Sequence, residues 1–280
     1  KNRMKKTITT IMFTLLSILT FGQKFLPLNY GEKMIVNSKY LKERTEVWIK
    51  IPEDFEKLKD NCSIVVLLDG DEYFGIATNV QNLYQWEEKM PPTIIVALPS
   101  TVESRWKYYT PTNSKNFTGK KEDDKLFEST GHFSKFADFI ENDVIKKLET
   151  KYSIKFKNKT IFGHSLGGLA VMSFYKIRPN IFDNYICASP SLMWEKFMFN
   201  NYYANEFPTN SVENRKIFLS SGNPDANGYK NNVEDLVESL NKKISNSEKV
   251  IKYIHYETED HGSSGIRSLI DGLEFIYKNA

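Results

Sequence analysis

The pattern of apolar and polar positions changes along the chain. Residues 33–40 and 45–51 alternate apolar and polar side chains, which predicts a half-buried antiparallel hairpin that ends at Pro52. Later apolar runs, such as 64–68 and 94–98, are continuous and rich in β-branched residues. Continuous runs of this kind predict strands that are covered on both faces.

Helical periodicity alternates with these runs. Apolar residues recur at helical spacing over 136–148, 166–177 and about 266–277. Further strands are predicted at 159–162, 184–188, 216–220 and 249–256. Strands that alternate with helices predict an α/β fold with a mostly parallel central sheet, N-terminal antiparallel strands and helices on both faces. Residues 99–131 are polar and poorly periodic, so they predict a long loop of the functional or mobile kind.

The first residues have the order of a secretory signal. Lys5 and Lys6 precede an apolar run over residues 8–21, and small residues precede Gln23. We therefore expect residues 1–22 to be a signal peptide and residues 23–280 to be a single exported domain, periplasmic or secreted. An uncleaved anchor is the alternative, although the apolar run is short for a bilayer span.

The net charge changes when this segment is set aside. Residues 1–22 hold four basic side chains and no acidic one, which leaves 34 basic against 35 acidic side chains and a formal charge of about −1. The formal charge of +3 for the whole chain therefore comes from the expected signal peptide. Nothing in the remaining composition points to nucleic acid or to an acidic membrane as a partner.

The cysteines and histidines give no sign of a metal site. Cys62 and Cys187 each lie at or in an apolar, strand-like run. An exported protein could join them in a disulfide, but buried free thiols are the favoured state. The four histidines show no paired ligand spacing and no CxxC is present, so we expect no metal site. The serine chemistry considered below also needs no organic cofactor.

Ser165 is the strongest candidate for chemistry. It lies in a G-x-S-x-G motif between a short apolar segment and a helical pattern. A serine on a tight strand-to-helix turn has its hydroxyl exposed over the end of a sheet, and the flanking glycines prevent clashes there. A glycine-rich turn capped by serine is the simpler alternative, but the strand before it and the helix after it favour a nucleophile.

A nucleophilic serine needs a base and, in most cases, an acid that orients the base. His261 follows the last predicted strand in a loop before the final helix, so it is the candidate base; a capping or surface histidine is the alternative. Asp225 follows the strand 216–220 and is the candidate acid, although its neighbours also form a strong turn signal. A Ser–His dyad stays open.

An oxyanion hole needs two N–H groups aimed at one point. The backbone of Leu166, directly after the serine, would supply the first. The backbone of Asp71, in the Asp-Gly-Asp turn after strand 64–68, would supply the second. An ordinary Asp-Gly turn is the alternative for this segment.

Four segments together resemble one known family. They read LLDGD over 67–71, GHSLGGL over 163–169, ASPSLMW over 188–194 and EDHGS over 259–263. On these motifs the chain resembles the putative-esterase family of α/β-hydrolases, in the branch of enterochelin-esterase-like siderophore trilactone hydrolases. The resemblance extends from about residue 30 to the end, and it implies an α/β-hydrolase fold with Ser165 and His261 as nucleophile and base.

The resemblance also suggests residues for substrate binding. Arg105, Thr110 and Pro111 match an Arg-x-Arg-Asp-x-Thr-Pro stretch of relatives, whereas Lys107 and Tyr108 replace its second arginine and its aspartate. Arg105 is then expected to hold an anionic or catecholate part of a substrate. The segment that ends at Trp194 resembles a wall of the family's active-site cleft.

Aromatic residues near these motifs are candidates to line the same cleft, with the protein core as the alternative position for each. These residues are Tyr73, Phe74, Trp106, Tyr108 and Trp194.

The sequence therefore predicts a serine esterase that acts on a small-molecule ester through an acyl-enzyme. The family resemblance implies a substrate of the siderophore or hydroxycinnamoyl type. An acyltransferase with the same residues and a non-catalytic ligand-binding module on a hydrolase fold are the alternatives.

Overall fold

The structure is a computed structural model that describes residues 30–114, 129–195, 215–223 and 229–277. Within these ranges the chain forms one mixed sheet of eight strands. Their bounds are β1 Glu32–Ser38, β2 Glu43–Lys50, β3 Ser63–Leu68, β4 Thr93–Leu98, β5 Lys159–His164, β6 Asn184–Ala188, β7 Lys216–Gly222 and β8 Ile251–Tyr256.

Helices pack on both faces of this sheet. Their bounds are α1 Phe55–Leu58, α2 Gly70–Trp86, α3 Val102–Tyr109, α4 Phe133–Asp138, α5 Lys146–Tyr152, α6 Leu166–Ile177, α7 Tyr229–Lys243, α8 Ser247–Val250 and α9 Ser263–Tyr277. A short 3₁₀ helix at Lys59–Asn61 follows α1, and a π-helix at Phe139–Ile145 joins α4 to α5. The predicted α/β class and the alternation of strands with helices are confirmed.

The strand order is β1-β2-β4-β3-β5-β6-β7-β8. The pairs β1–β2 and β2–β4 are antiparallel, whereas every later neighbour pair is parallel. The predicted N-terminal hairpin and the mostly parallel sheet are therefore both present. Because β3 to β8 run in the same direction, their carboxyl ends meet at one edge, where ligands bind in open α/β sheets.

The alternating side chains of β3 divide the interior into two cores. Val66 and Leu68 lie in the core that contains α6, and Val65 and Leu67 lie in the core that contains α2 and α9. Each of these four side chains has no exposed surface. Burial of one such side chain stabilises the fold by roughly 1.5–3 kcal/mol, so this strand firmly fixes the position of the turn that follows it.

The helical pattern at 136–148 contains an irregularity that the π-helix explains. The apolar pair Phe139 and Ile140 is followed five residues later by Val144 and Ile145, and all four are buried. A π-turn has i→i+5 hydrogen bonds, so its wider turn brings residues with this spacing onto one face. The apolar pattern of the sequence therefore matches the local change of helix type.

The prediction of a loop throughout 99–131 was wrong for α3. Thr101 and Ser104 form a reciprocal capping box, in which the Thr101 side chain accepts the Ser104 N–H and the Ser104 side chain accepts the Thr101 N–H. Such a box satisfies amides of the first helical turn that would otherwise lack acceptors. The helix buries Tyr108 and Tyr109 on its inner side. The T-x-x-S spacing was a local signal for this helix start.

Both cysteines are free and buried, as the sequence predicts. Burial raises the pKa of the Cys62 thiol to about 11. Burial also raises the pKa of the Cys187 thiol well above its usual value. Neither sulfur is therefore a nucleophile at neutral pH in the folded protein.

Candidate active site

Ser165 occupies the sharp turn between β5 and α6. Its backbone has φ 59° and ψ −116°, a region that non-glycine residues rarely occupy. A Cβ on Gly163 would lie 2.4 Å from the Gly167 carbonyl oxygen, so this tight turn requires glycine at that position. The Ser165 N–H donates to the Ala188 carbonyl at 2.9 Å, which ties the turn to the end of β6.

Ser165 and His261 meet at the carboxyl edge of the sheet. The Oγ atom of Ser165 lies 3.0 Å from Nε2 of His261, although the two residues are 96 positions apart. Both residues are partly exposed, so a ligand can reach the pair. This distance is within the range expected between a serine nucleophile and its base.

Ser191 supports the serine from the neighbouring loop. Its N–H donates to the Ser165 carbonyl at 3.0 Å, and its hydroxyl lies 3.3 Å from Ser165 Oγ. Ser191 is buried, so it belongs to the floor of the site. The sequence placed the segment that contains Ser191 beside the cleft but did not identify this contact.

The backbone of His261 is held by two hydrogen-bond donors. His164 Nε2 lies 2.6 Å from the His261 carbonyl oxygen, and the Ser264 hydroxyl donates to the same oxygen at 2.9 Å. A carbonyl oxygen only accepts, so Nε2 of His164 must carry a proton. The residue directly before the candidate nucleophile therefore anchors the loop of the candidate base, a role that sequence reasoning missed.

The loop that carries His261 is closed by a reciprocal pair. The Ser263 N–H donates to Asp260 Oδ1 at 2.8 Å, and the Asp260 N–H donates to Ser263 Oγ at 3.0 Å. The bond from the Ser263 amide is the largest cause of a lowered pKa at Asp260. A Cβ on Gly222 would lie 2.6 Å from the Asp260 carbonyl, so the end of β7 packs closely under this loop.

The two amides predicted to bind an oxyanion begin two neighbouring helices. Leu166 is the first residue of α6, and Asp71 is the second residue of α2. Amides in a first helical turn have no acceptor within the helix, and they are favourable partners for negative charge. A Cβ on Gly167 would lie 3.1 Å from a carboxylate oxygen of Asp69, so the turn before α2 and the start of α6 are in direct proximity.

Arg105 is bound by a carboxylate of the protein itself. Its Nε donates to Oδ1 of Asp69 at 2.9 Å, and its Nη2 donates to Oδ2 at 3.2 Å. The Asp69 side chain is only 4% exposed, whereas that of Arg105 is 31% exposed. Arg105, which the resemblance assigns to a substrate anion, is therefore already paired with the Asp69 carboxylate. This pairing does not support a direct contact between Arg105 and substrate.

Most of the aromatic side chains expected in the cleft are in the core. Tyr73 packs against the ring of Phe162 with centroids 4.7 Å apart and is 3% exposed. Trp194 has no exposed surface and donates from Nε1 to Thr112 Oγ1 at 2.9 Å. Direct substrate contact by Tyr73 or Trp194 is therefore not supported, because side chains this buried can only support the wall from behind. Phe74 and Tyr108 are also buried.

Asp225, the predicted acid, lies outside the described residues.

Two further histidines lie away from the candidate pair in the sequence of elements: His132 directly precedes α4, and His255 lies within β8. Within the described ranges, no group of three or more His, Cys, Asp or Glu side chains has the arrangement of a metal site. Nor does any helix in that part of the chain have the length and apolar composition needed to cross a bilayer.

Comparison with known proteins identifies relatives of this chain. Ferri-bacillibactin esterase BesA of Bacillus subtilis is 32% identical over 141 residues, which are 48% of this chain and 49% of that protein. Apo-salmochelin esterase of Escherichia coli is 28% identical over 151 residues, 52% of this chain and 46% of that protein. The chain thus spans about half the length of the curated relatives it matches.

Solved structures agree on the fold. The BES protein from Bacillus cereus is 24% identical and has a TM-score of 0.75, over 91% of this chain and 98% of that chain. At this level of identity the likeness establishes the fold alone.

The match to a family model covers strands β2 to β8, the serine turn and the histidine loop. This model, described as "Putative esterase", matches residues 38–266, which include Ser165 and His261. The matched range is most of the chain. The protein therefore belongs to the putative esterase family.

Proposed function

We propose that the chain is a serine carboxylic-ester hydrolase that works through an acyl-enzyme. The observation that carries this proposal is the 3.0 Å approach of Ser165 Oγ to His261 Nε2, at a partly exposed strand-to-helix turn. The names of the curated relatives, which are esterases of siderophores, support the same reaction class.

The first half of the reaction forms the acyl-enzyme. Ser165 Oγ attacks the carbonyl carbon of the ester while His261 Nε2 accepts its proton. The tetrahedral intermediate then collapses, the bond to the leaving oxygen breaks, and the proton passes from His261 to the leaving alcohol.

The second half of the reaction restores the free enzyme. A water molecule gives a proton to His261 Nε2 and adds its oxygen to the acyl carbon. Collapse of this intermediate breaks the bond to Ser165 Oγ, which takes the proton back, and the carboxylic acid leaves. No cofactor is required for either half.

We assign the stabilisation of the developing oxyanion to hydrogen bonds from the backbone amides of Leu166 and Asp71. Both amides begin helices, so the helix dipoles add to the stabilisation that the two hydrogen bonds provide. Loss of one such donor typically costs about 3 kcal/mol in the transition state.

The carboxylate that orients His261 is assigned to Asp225, on its sequence position after β7. The first residue after β7 bonds to the His261 loop, since the Asn223 N–H donates to the Glu259 carbonyl. A dyad in which backbone contacts alone hold the imidazole is the alternative. Asp225→Asn should lower kcat by about 10²-fold or more in a triad, since the orienting acid fixes the imidazole tautomer, and should leave it nearly unchanged in a dyad.

For the substrate we propose a siderophore ester with several ester bonds. The names of the relatives support siderophore esters, and the sequence resemblance to trilactone hydrolases supports several ester bonds. Hydroxycinnamoyl esters are the second class to test. A panel of a catecholate trilactone, a feruloyl ester and p-nitrophenyl acyl esters would rank them by kcat/KM. Addition of an alcohol acceptor to the same assays would distinguish hydrolysis from acyl transfer.

Fluorophosphonate labelling tests the nucleophile directly. The wild type should be labelled at Ser165, and Ser165→Ala should abolish labelling. Ser221→Ala is the matched control, because Ser221 also contacts a histidine but is fully buried. Absence of labelling in folded wild type would overturn the proposal and favour a ligand-binding module.

We also propose, from the basic and apolar order of residues 1–22, that the protein is exported. These residues lie outside the described part of the chain. Cell fractionation and N-terminal sequencing of the mature protein would test both the export and the cleavage before Gln23.

A further inference from the structure

The turn that precedes α2 contains a buried charge. Asp69 has φ 52° and ψ 50°, a left-handed conformation, and its carboxylate lies at the carboxyl edge of the sheet. Only 2% of the residue is exposed. A carboxylate in such a position needs an ionic partner and further hydrogen bonds, because desolvation of an unpaired charge is very costly.

The partners of this carboxylate come from the segment that follows β4. Arg105 donates to both oxygens of Asp69, and the Ser100 hydroxyl donates to Oδ1 at 2.6 Å. Burial raises the pKa of the Asp69 carboxyl, while the Arg105 charge and these hydrogen bonds oppose that rise. A planar guanidinium that binds both oxygens also fixes the orientation of the carboxylate plane.

The same segment also holds the backbone on either side of the carboxylate. The Asp69 N–H donates to the Tyr109 hydroxyl at 3.2 Å, and Tyr109 is buried. The Ser100 N–H donates to Oδ1 of Asp71 at 3.1 Å. Asp69 is therefore held by hydrogen bonds with Arg105, Ser100 and Tyr109. Asp71, at the other end of this stretch, is held by the Ser100 amide.

The carboxylate also lies close to the start of α6. Oδ2 of Asp69 would lie 3.1 Å from a Cβ placed on Gly167, the second residue after the candidate nucleophile. Gly70 is similarly confined, since a Cβ there would lie 2.6 Å from Ala97 Cβ and from the Leu98 nitrogen. One ion pair thus lies against both turns whose amides we assign to the oxyanion.

We propose that the Arg105–Asp69 pair positions the Asp71 and Leu166 amides for the oxyanion, and that Arg105 is a positioning residue rather than a substrate-binding one. This inference rests on the proposed function. It differs from the role that the sequence resemblance implied for Arg105, and the two roles have different kinetic consequences.

The kinetic test compares a neutral and an anionic ester. We would measure kcat and KM of wild type, Arg105→Gln and Arg105→Lys with p-nitrophenyl butyrate and with mono-p-nitrophenyl succinate. Misplaced amides should lower kcat for both esters by about 10²-fold and change KM little, because oxyanion contacts form mainly in the transition state. Arg105→Lys should recover part of the loss, because it keeps the charge without the two-point contact.

A boronic acid inhibitor provides a second measurement. Its tetrahedral adduct with serine places an oxygen at the oxyanion position, so its affinity should fall by a factor similar to the fall in kcat. The matched control is Arg178→Gln at the far end of α6, which removes an ion pair with Asp138. The exposed fraction of the Arg178 side chain, 35%, is similar to the 31% of Arg105. This control should change neither kcat nor the inhibitor affinity.

The result that would overturn the proposal is a rise of KM confined to the anionic ester, because that outcome makes Arg105 a substrate-binding residue. Unchanged kcat and unchanged inhibitor affinity in Arg105→Gln would overturn it as well. Should Arg105→Gln fail to fold, Ser100→Ala removes one bond to Asp69 and should give a smaller loss of kcat in the same direction, and unchanged kcat in that variant would count against the proposal.

Hydrogen–deuterium exchange separates this inference from the proposed function. Peptides that cover 69–72 should exchange faster in Arg105→Gln than in wild type, and this measurement needs no substrate. If wild type hydrolysed no ester in the panel, the proposed function would fail, and the exchange rates would still decide whether Arg105 orders this turn. Unchanged exchange there would overturn the positioning role.

Discussion

Two serine–histidine pairs lie near the same edge of the sheet, and their hydrogen bonds are almost equally long. Ser165 Oγ is 3.0 Å from His261 Nε2, and Ser221 Oγ is 2.8 Å from His255 Nδ1. The second pair sits on the regular strands β7 and β8, where these two residues are direct partners. A hydrogen bond between serine and histidine therefore does not by itself identify an active site.

The environments of the two pairs separate their roles. Ser221 has no exposed surface, and its hydroxyl is also bonded to the Tyr253 hydroxyl at 2.7 Å. Ser165 is partly exposed on a strained turn, with a helix N-terminus directly behind it. Access for a ligand and nearby amide donors distinguish a candidate nucleophile from a structural hydroxyl, and the following predictions test that distinction.

The largest expected effect is on catalysis. Ser165→Ala should lower kcat/KM for the preferred ester by at least about 10³-fold, since no other group replaces the attacking oxygen. Ser221→Ala should keep kcat/KM within a few-fold of wild type. Steady-state assays of both variants decide this, and equal losses in the two would break the distinction.

For stability the order of the two variants should be reversed, with the larger loss in Ser221→Ala. Ser221→Ala leaves the partly buried side chains of His255 and Tyr253 without one hydrogen-bond partner, so it should lower the free energy of unfolding by about 1–3 kcal/mol. Ser165→Ala removes a partly exposed hydroxyl and should change it by less than about 0.5 kcal/mol. Urea denaturation followed by circular dichroism measures both. A larger loss in Ser165→Ala would show that its hydroxyl is structural.

The tight serine turn should make the stability of the fold sensitive to substitution of Gly163. A Cβ on Gly163 would lie 2.4 Å from the Gly167 carbonyl, so Gly163→Ala should cost about 1–3 kcal/mol of stability. Gly75 in α2 has no atom within 4 Å of an added Cβ, so Gly75→Ala is the matched control. This control should gain up to about 1 kcal/mol from helix propensity. Thermal melts of the two variants should shift in opposite directions.

Burial should limit the reactivity of the two cysteine thiols as well. Burial raises the pKa of Cys62 to about 11 and that of Cys187 well above its usual value, so both remain protonated thiols at pH 8. A disulfide-exchange reagent such as DTNB should react with neither thiol in the folded protein and with both in guanidinium chloride. Rapid reaction under native conditions would contradict the burial.

The smallest effect is expected at the loop that carries His261. Hydrogen bonds from Ser263 lower the pKa of Asp260 in the folded state, so the stabilisation by its carboxylate is present above the unfolded pKa and is lost as pH falls through the folded pKa. Asp260→Asn should therefore melt slightly below wild type at pH 7, and the difference should disappear in strong acid. A difference that grows on acidification would contradict this sign.

Much of the fold follows from local patterns. Continuous β-branched runs identified β3 and β4, and alternating runs identified the β1–β2 hairpin. Both signals come from side chains near in sequence, which explains their success. The helix α3 was missed because its buried side chains, Tyr108 and Tyr109, contact residues distant in the chain.

The candidate site was predictable to a lesser extent. The G-x-S-x-G spacing identified Ser165, and the order of the elements identified His261. Arg105 was recognised but given a different role, because its partner Asp69 is 36 positions away. The contact of His164 with the backbone of His261 had no sequence signal beyond the motif itself.

The sequence by itself determined the strands, the glycines that permit the serine turn, and the residue types needed for ester hydrolysis, because these depend on neighbours within a few positions. Only the tertiary structure decided which side chains are accessible and which polar groups meet. Both serine–histidine pairs contain suitable residues, yet burial and backbone geometry differ between them. Desolvation and long-range hydrogen bonding depend on how the sheet brings distant segments together, and no local pattern encodes them.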